Sequence, residues 1–268
     1  MNDLIDIARF SAVVLSLYLM GVVVVAFFRE NNSIMDIAYG AGFVLIAWCL
    51  AVMWPEWTDR QMILLACVTV WGLRLAFRIL LKNWGKPEDF RYQAWRTEWK
   101  KKGMLYFFFR SFGQIYLLQG AVILVVSLPV MIAFSSHEAR MSVAWYNWLG
   151  LSLWCIGFFF EVIGDWQLDR FIRNPENKGK IMTTGLWRFT RHPNYFGEVT
   201  MWWGLFLVVL GLPLSHLALL SPVLITFLLT QVSGIPMLEK HFAGRPDWES
   251  YKARTSAFIP WLPKRRTE

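Results

Sequence analysis

Residues 10–28 read FSAVVLSLYLMGVVVVAFF, an apolar run of 19 residues without a charged side chain. A helix needs about 20 such residues to cross the roughly 30 Å hydrocarbon core of a bilayer. The run therefore predicts a membrane-spanning helix. Asp3 and Asp6 precede it, whereas a cleavable signal peptide begins with basic residues. We interpret the run as a retained first helix.

Six further windows of the chain have the same apolar character. The seven predicted spans cover residues 10–28, 34–54, 62–81, 112–134, 145–163, 196–212 and 216–238. Pro129 and Pro222 fall inside two of them, where proline is expected to kink a membrane helix rather than end it. The 268 residues are 56% hydrophobic and only 17% charged, which excludes a disordered chain and argues against a soluble enzyme.

The predicted fold is an all-α, polytopic integral membrane bundle that forms one membrane domain over residues 1–268. Within it we expect residues 1–110 to form the substrate side and residues 111–268 to carry a cofactor site. The three cysteines, Cys49, Cys67 and Cys155, fall inside predicted spans without the spacing of a metal cluster, so no metal site is expected.

The basic residues predict the orientation of the bundle. The formal charge is +8, and 21 of the 27 Lys and Arg lie on one side of the seven predicted spans. By the positive-inside rule the N-terminus is outside and the C-terminus is cytoplasmic, in what we interpret as a bacterial inner membrane. The basic loops are punctuated by tryptophan and tyrosine, as in segments at the level of the lipid headgroups, so membrane lipids are the expected partners rather than nucleic acid.

Charged groups at membrane depth are functional candidates because burying them in hydrocarbon is costly. Asp36 begins the second predicted span, Tyr39 follows on the same helical face, and Arg74 lies on the third. Glu161, Asp165 and Asp169 recur every four residues at the end of the fifth span, which predicts a carboxylate stripe. The alternative interpretation is that these groups pair with one another and only hold the bundle together.

The densest polar stretch, residues 184–198, reads TGLWRFTRHPNYFGE. Pro193 can open a helix at its first turn. Arg188, Arg191 and His192 place cationic donors beside that helix N-terminus, which suits an anion or a phosphate. Asn194 adds a neutral donor. The pattern favours a nucleotide-bearing cofactor, and a lipid-headgroup site or a merely basic loop is the alternative.

This stretch, followed by Trp202, Trp203 and Gly204, resembles the C-terminal signature of the steroid 5-alpha-reductase family. The stretch GDWQLDRFIRNP at residues 164–175 is similar to the segment of that family that faces the cofactor, and residues 251–260 are similar to its closing end. The similarity covers roughly the last 110 residues. The N-terminal half looks like the bacterial membrane proteins grouped with that family.

The resemblance implies a seven-helix membrane reductase that uses NADPH to reduce a carbon–carbon double bond conjugated to a carbonyl. The substrate would be a lipophilic small molecule entering from the bilayer, such as a steroid, terpenoid or lipid enone. The residues that match the family's cofactor contacts are Asp165, Arg170, Arg173, Asn194 and Glu198, with Tyr195 and Arg188 as neighbours. Arg191 and His192 are added to the expected cofactor site as cationic donors beside the same helix N-terminus.

The sequence departs from the steroid-reducing members at the substrate site. They place a glutamate on the second span and a tyrosine on the third, and neither is present here. We interpret Asp36 with Tyr39 as a substitute carboxyl–phenol pair, with Arg74 as an oxyanion partner, and expect these three to be catalytic. The substrate is therefore not restricted to a steroid.

Two rival functions remain. The Arg-His-Pro-Asn-Tyr core at residues 191–195 also resembles membrane methyltransferases that bind S-adenosylmethionine. Those enzymes usually show a pair of glutamates on the following helix near an arginine, whereas Glu239 lies between Leu238 and Lys240. The second rival is a scaffold or lipid transporter, for which inverted repeats are expected and none is visible.

Overall fold

The structure, a computed structural model, describes residues 2–55, 57–136 and 143–264. Within these ranges every regular element is a helix, as the sequence predicts. The first helices are α1 (Asn2–Phe28), α2 (Ile34–Met53), α3 (Asp59–Asn83), α4 (Phe90–Lys100), α5 (Met104–Ser111), α6 (Leu118–Val126) and α7 (Leu128–Ser135). They are followed by α8 (Trp145–Arg173), α9 (Pro193–Val209), α10 (Leu220–Phe227), α11 (Ile235–Phe242) and α12 (Pro246–Arg254).

Six stretches of the described residues are long and apolar enough to cross a membrane, which supports the predicted polytopic bundle. The spans are Asp3–Phe28, Ile34–Met53, Asp59–Asn83, Met104–Val126, Trp145–Arg173 and Ser215–Phe242. The remaining predicted span, residues 196–212, corresponds to helix α9. That helix has 17 residues, or about 26 Å of rise, and is shorter than the roughly 30 Å hydrocarbon core.

Pro129 lies at the start of a new helix and does not kink a continuous one. Helix α6 stops at Val126, and α7 begins at Leu128 with Pro129 in its first turn. A proline in the first turn of a helix lacks only an N–H that would have no intrahelical acceptor. The predicted span 112–134 is therefore two helices, and the apolar stretch begins eight residues earlier than predicted, at Met104.

The described chain divides into two compact units. The first comprises Met1–Val143 and Gly211–Leu220, and the second comprises Ala144–Leu210 and Ser221–Glu268. In the first unit, α2 and α3 pack at Gly40 and Gly72, where a Cβ on either glycine would lie 2.7 Å from the other's carbonyl oxygen. Outward apolar side chains such as Leu17, 67% exposed, are suited to contact with lipid.

The second unit is organised by close packing between α8 and α9. A Cβ on Gly150 would lie 2.6 Å from the carbonyl oxygen of Gly204, and a Cβ on Gly157 would lie 2.5 Å from that of Gly197. The glycines recur every seven residues on both helices, so one antiparallel seam keeps the two backbones in contact. Small residues allow this approach between membrane helices.

Helix α8 is longer than the hydrocarbon core of a bilayer is thick. Its 29 residues rise about 44 Å, whereas the hydrocarbon core is about 30 Å. Its last turns therefore extend past the core when its first turn lies at the opposite boundary. Asp165, Asp169 and Arg170 lie on those last turns, so the helix carries part of the predicted site out of the hydrocarbon.

Candidate functional site

The first half of the motif at residues 184–198 rests on the last turns of α8, within the second unit. The backbone N–H of Leu186 donates to Oε1 of Gln167 at 2.9 Å. The indole N–H of Trp187 donates to the carbonyl of Gly164 at 3.0 Å. These bonds hold the short 3-10 helix Gly185–Arg188, and with it Arg188, against α8.

The second half of the motif reaches the same part of α8. Asn194, in the first turn of α9, donates from Nδ2 to Oδ1 of Asp165 at 3.2 Å. Asp165 is buried, at 3% exposure, and Asn194 is half-buried. Two residues that the resemblance assigns to the cofactor are thus in direct contact, although 29 residues separate them in the chain.

Arg191 and His192 are engaged by a carboxylate. Arg191 donates from Nε to Oε1 of Glu239 at 2.8 Å, and Nε2 of His192 lies 3.2 Å from the same oxygen. Nη2 of Arg191 also lies 2.7 Å from that oxygen, and Nη1 donates to the carbonyls of Lys252, at 3.1 Å, and Thr255, at 2.5 Å. All three ionisable side chains are largely buried. The sequence predicts that Arg191 and His192 bind an anionic ligand. In the structure the anion next to both side chains is the Glu239 carboxylate.

The C-terminal segment covers the motif. The Thr190 hydroxyl donates to the carbonyl of Phe258 at 2.8 Å, and the backbone N–H of Trp261 donates to the carbonyl of Phe189 at 2.9 Å. The Tyr251 hydroxyl donates to the carbonyl of Trp187. Burial raises the pKa of Tyr251, so this phenol stays a donor at physiological pH.

Three predicted cofactor residues remain accessible in the second unit. Arg170, Arg173 and Arg188 are exposed, and the guanidinium of Arg170 lies 5.6 Å from the ring centre of Trp166. Glu198 is half-buried. Tyr195, also half-buried, stacks on the His192 ring with 5.5 Å between ring centres and 6° between planes. Exposed guanidinium groups suit phosphate oxygens because they offer planar, charged donors.

A second polar cluster lies in the first unit, around Asp36. The Tyr92 hydroxyl donates to Oδ1 of Asp36 at 2.5 Å, and Nη2 of Arg91 lies 3.3 Å from Oδ2. Gln119 donates to the Tyr92 oxygen at 3.3 Å. Burial and the Asp36 carboxylate raise the pKa of Tyr92, which keeps the phenol protonated. Tyr92 is therefore a phenol partner of Asp36 that the sequence did not identify.

The two other residues expected to be catalytic lie on α2 and α3. Tyr39 is half-buried and packs edge to face on Phe43, with 5.2 Å between ring centres. Arg74 is half-buried on α3. The phenol that donates to the Asp36 carboxylate is that of Tyr92, on helix α4.

Helix α4 is anchored beside Asp36 by the segment before it. The backbone N–H of Asp89 donates to the Ser33 hydroxyl at 2.7 Å, and that of Asn32 donates to Oε1 of Glu88 at 2.6 Å. Burial raises the pKa of Asp89, but hydrogen bonds from the Arg91 side chain and backbone outweigh it, so the net pKa is below its usual value. Asp89 thus stays ionised and orients Arg91 toward Asp36.

The pairing of Tyr92 with Asp36 and that of Glu239 with Arg191 could not be predicted from the sequence for the same reason. Tyr92 is 56 residues from Asp36, and Glu239 is 48 residues from Arg191, so no local spacing connects either pair. The glycine seam is different. Gly150, Gly157 and Gly164 recur every seven residues, a pattern of small residues that is legible in the sequence.

Substituting Tyr92 with phenylalanine is expected to lower the stability of the protein by about 1–3 kcal/mol, because the half-buried Asp36 carboxylate loses its shortest donor. The measurement is thermal unfolding of the detergent-solubilised protein. Tyr106→Phe is the matched control, since Tyr106 lies on the neighbouring helix and is 39% exposed. Equal melting temperatures for the two variants would contradict the role given to Tyr92.

Comparison with known proteins places the chain in a family. The family described as "Protein of unknown function (DUF1295)" matches residues 22–255, which is most of the chain. An uncharacterized protein of Schizosaccharomyces pombe is 28% identical over 169 residues, 55% of this chain. The match spans 48% of that relative, so the chain covers about half its length. No solved structure matches.

Proposed function

The chain belongs to the DUF1295 family, and from this membership and the geometry of the second unit we propose that it is a membrane-embedded reductase. The reaction is the NADPH-dependent reduction of a conjugated carbon–carbon double bond. The substrate is a lipophilic enone of steroid, terpenoid or lipid type that enters from the bilayer. The cofactor site faces the cytoplasm, in accordance with the distribution of basic residues.

The observation that carries this proposal is the convergence of both halves of the motif on one stretch of α8. Asn194 donates to Asp165. Leu186 and Trp187 donate to two residues of the same turn of α8, Gln167 and Gly164 respectively. A buried carboxylate next to an amide suits ribose hydroxyls or a carboxamide. The exposed Arg170, Arg173 and Arg188 suit phosphates. This donor set fits a dinucleotide without Arg191 and His192, which Glu239 engages.

The residues of the second unit and those of the first are proposed to have separate tasks. NADPH supplies the hydride, and the chain must bind it, exclude water and provide a proton donor. The exposed arginines bind the phosphates of the cofactor, while Asp165 and Asn194 orient its ribose hydroxyls or its carboxamide. For the acid we propose Asp36 with a phenol, and Tyr92 is the phenol that already donates to it. Tyr39 and Arg74 complete the proposed catalytic set on α2 and α3.

The alternative is a methyltransferase that uses S-adenosylmethionine and acts on a lipid or prenylated substrate. One observation favours it. Glu239 follows α9 in the chain and lies 2.8 Å from Nε of Arg191, as the glutamate near an arginine does in those enzymes. The neighbouring residues Leu238 and Lys240 do not supply the second glutamate of their pair. The reductase therefore remains the preferred function.

Ligand-dependent thermal stabilisation of the detergent-solubilised protein discriminates between these functions. A ligand at a hundredfold its Kd stabilises a protein by about 2.7 kcal/mol. We expect NADPH to raise the melting temperature and S-adenosylmethionine to leave it unchanged. The reverse result would support the methyltransferase, and no shift with either ligand would contradict the proposed cofactor site.

Variants of the same site test its residues. Asn194→Ala and Arg173→Ala are each expected to weaken NADPH binding about tenfold while leaving expression intact, because each removes a donor to a polar or charged group. Lys178→Ala is the matched control, since Lys178 is an exposed basic residue of the same segment that the proposal does not use. If all three variants bind like the wild type, the assignment of the site is wrong.

A further inference from the structure

The C-terminal strap of the second unit, residues 255–264, exposes three large apolar side chains. It follows α12 and contains no helix. Ile259, Trp261 and Leu262 are 62%, 74% and 74% exposed. The strap lies outside the six candidate membrane spans, so these side chains are not the outward face of a membrane helix. Large apolar side chains that are exposed together indicate a contact surface.

The backbone of the strap is fixed to the polar motif that it covers. The backbone N–H of Arg191 donates to the carbonyl of Ser256 at 2.9 Å. That of Trp261 donates to the carbonyl of Phe189, also at 2.9 Å. The exposed tryptophan therefore projects from a backbone that is held at both ends of the intervening segment. Its exposure is a property of the fold and not of a free chain end.

A chain of aromatic contacts sets the depth of the strap along α8. Phe258 packs edge to face on Phe196 with 5.8 Å between ring centres, and Phe196 packs in the same way on Phe160 at 5.1 Å. Phe160 lies about 22 Å along α8 from Trp145. Trp145 is exposed at the start of α8, and tryptophan is enriched at membrane boundaries. Since the hydrocarbon core is about 30 Å thick, the strap lies near the opposite boundary.

Basic side chains accompany the apolar ones on the strap. The backbone N–H of Lys264 donates to the carbonyl of Arg254 at 3.0 Å, which brings these two residues side by side. Both are exposed. Basic residues next to exposed tryptophan and leucine are typical of segments that lie at the headgroups of anionic lipids. The depth of the strap and its charge both favour a lipid surface over a second protein.

We propose that the strap anchors the second unit in the interface of an anionic membrane. The side chains of Ile259, Trp261 and Leu262 lie at the boundary between headgroups and acyl chains, and Arg254 and Lys264 contact anionic headgroups. None of these five residues has a task in the proposed reduction. The anchor therefore does not depend on that reaction.

Photo-crosslinking of the full chain tests the occupant of this surface. The probe is Trp261→p-benzoylphenylalanine, which keeps a large aromatic side chain, in vesicles of phosphatidylcholine and phosphatidylglycerol in equal parts. We expect mass spectrometry to find phospholipid adducts at position 261. A cross-link to a second copy of the chain or to another segment of the same chain in place of lipid, or no adduct, would overturn the proposal.

Two further positions complete the experiment. Leu262→p-benzoylphenylalanine should give the same lipid adducts, and it provides the test if the variant at position 261 fails to fold. Glu176→p-benzoylphenylalanine is the matched control, since Glu176 is exposed and follows the end of α8, beyond the hydrocarbon core. Equal yields of lipid adduct at positions 176 and 261 would show that the strap has no special contact with lipid.

The contribution of the basic residues is measured with the same probe at position 261. It should label phosphatidylglycerol about fivefold more than phosphatidylcholine, because a basic residue near an anionic surface contributes about 1 kcal/mol. Arg254→Gln combined with Lys264→Gln should remove this preference. Lys178→Gln combined with Lys180→Gln, two exposed basic residues outside the strap, should leave it unchanged. Equal labelling of the two lipids by the probe alone, or an unchanged preference without Arg254 and Lys264, would refute the contact with anionic headgroups.

Discussion

Replacing Glu239 with alanine is expected to destabilise the protein by about 3–5 kcal/mol, because it leaves the buried Arg191 guanidinium without its carboxylate. His192 loses the same partner. The two remaining acceptors of Arg191, the carbonyls of Lys252 and Thr255, carry no net charge to balance it. A melting temperature lower by about 10 °C is the expected readout.

A double variant separates the cost of an unpaired charge from the value of the ion pair. Arg191→Met combined with Glu239→Leu should recover much of the loss, since well-packed apolar residues often replace a buried pair at little cost. Arg9→Ala is the surface control, because the pair of Arg9 with Asp6 is mostly exposed and spans 3.5 Å. The role given to Glu239 is wrong if Glu239→Ala has the same melting temperature as Arg9→Ala and the wild type.

Adding a single methyl group at Gly157 is expected to destabilise the second unit by about 3 kcal/mol. The Cβ of Gly157→Ala would lie 2.5 Å from the carbonyl oxygen of Gly197 and 2.7 Å from the backbone N of Met201. Backbone atoms cannot rotate out of the way, so α8 and α9 must separate along the seam. Overpacking of this kind costs about 1–3 kcal/mol, and this position belongs at the upper end.

The control for Gly157→Ala is Gly21→Ala. A Cβ at Gly21 would meet nothing within 4 Å. The substitution should therefore leave the melting temperature unchanged or raise it, because alanine is more favourable than glycine in a helix by about 1 kcal/mol. Gly197→Ala should behave like Gly157→Ala, because it meets the opposite side of the same contact. Similar stability of Gly21→Ala and Gly157→Ala would show that the seam tolerates separation.

The sequence alone indicates which segments form the candidate site. The motif at residues 184–198 and the segment at residues 164–175 stand out in the sequence through their family resemblance, and Asn194 of the first contacts Asp165 of the second. The sequence does not show which of the charged side chains are exposed and which are buried in ion pairs. Arg191 and Arg188 look equivalent in the sequence, yet one is buried on Glu239 and the other is exposed.

Crossing a membrane is a local property of the chain, and the sequence by itself therefore determined the helical membrane architecture. About 20 apolar residues suffice for a span, and a helix satisfies its backbone hydrogen bonds within its own segment. Helix ends are less local, as Pro129 and the short α9 illustrate.

Only the tertiary structure decided which polar groups meet. Asp36 bonds to Tyr92 and Arg191 to Glu239 because the rotation and register of distant helices bring them within hydrogen-bond reach. A shift of one residue turns a helical side chain by about 100°, so such pairings depend on packing that no single segment encodes. The glycine seam between α8 and α9 fixes that register in the second unit, since a close backbone contact forms only where the glycines face each other.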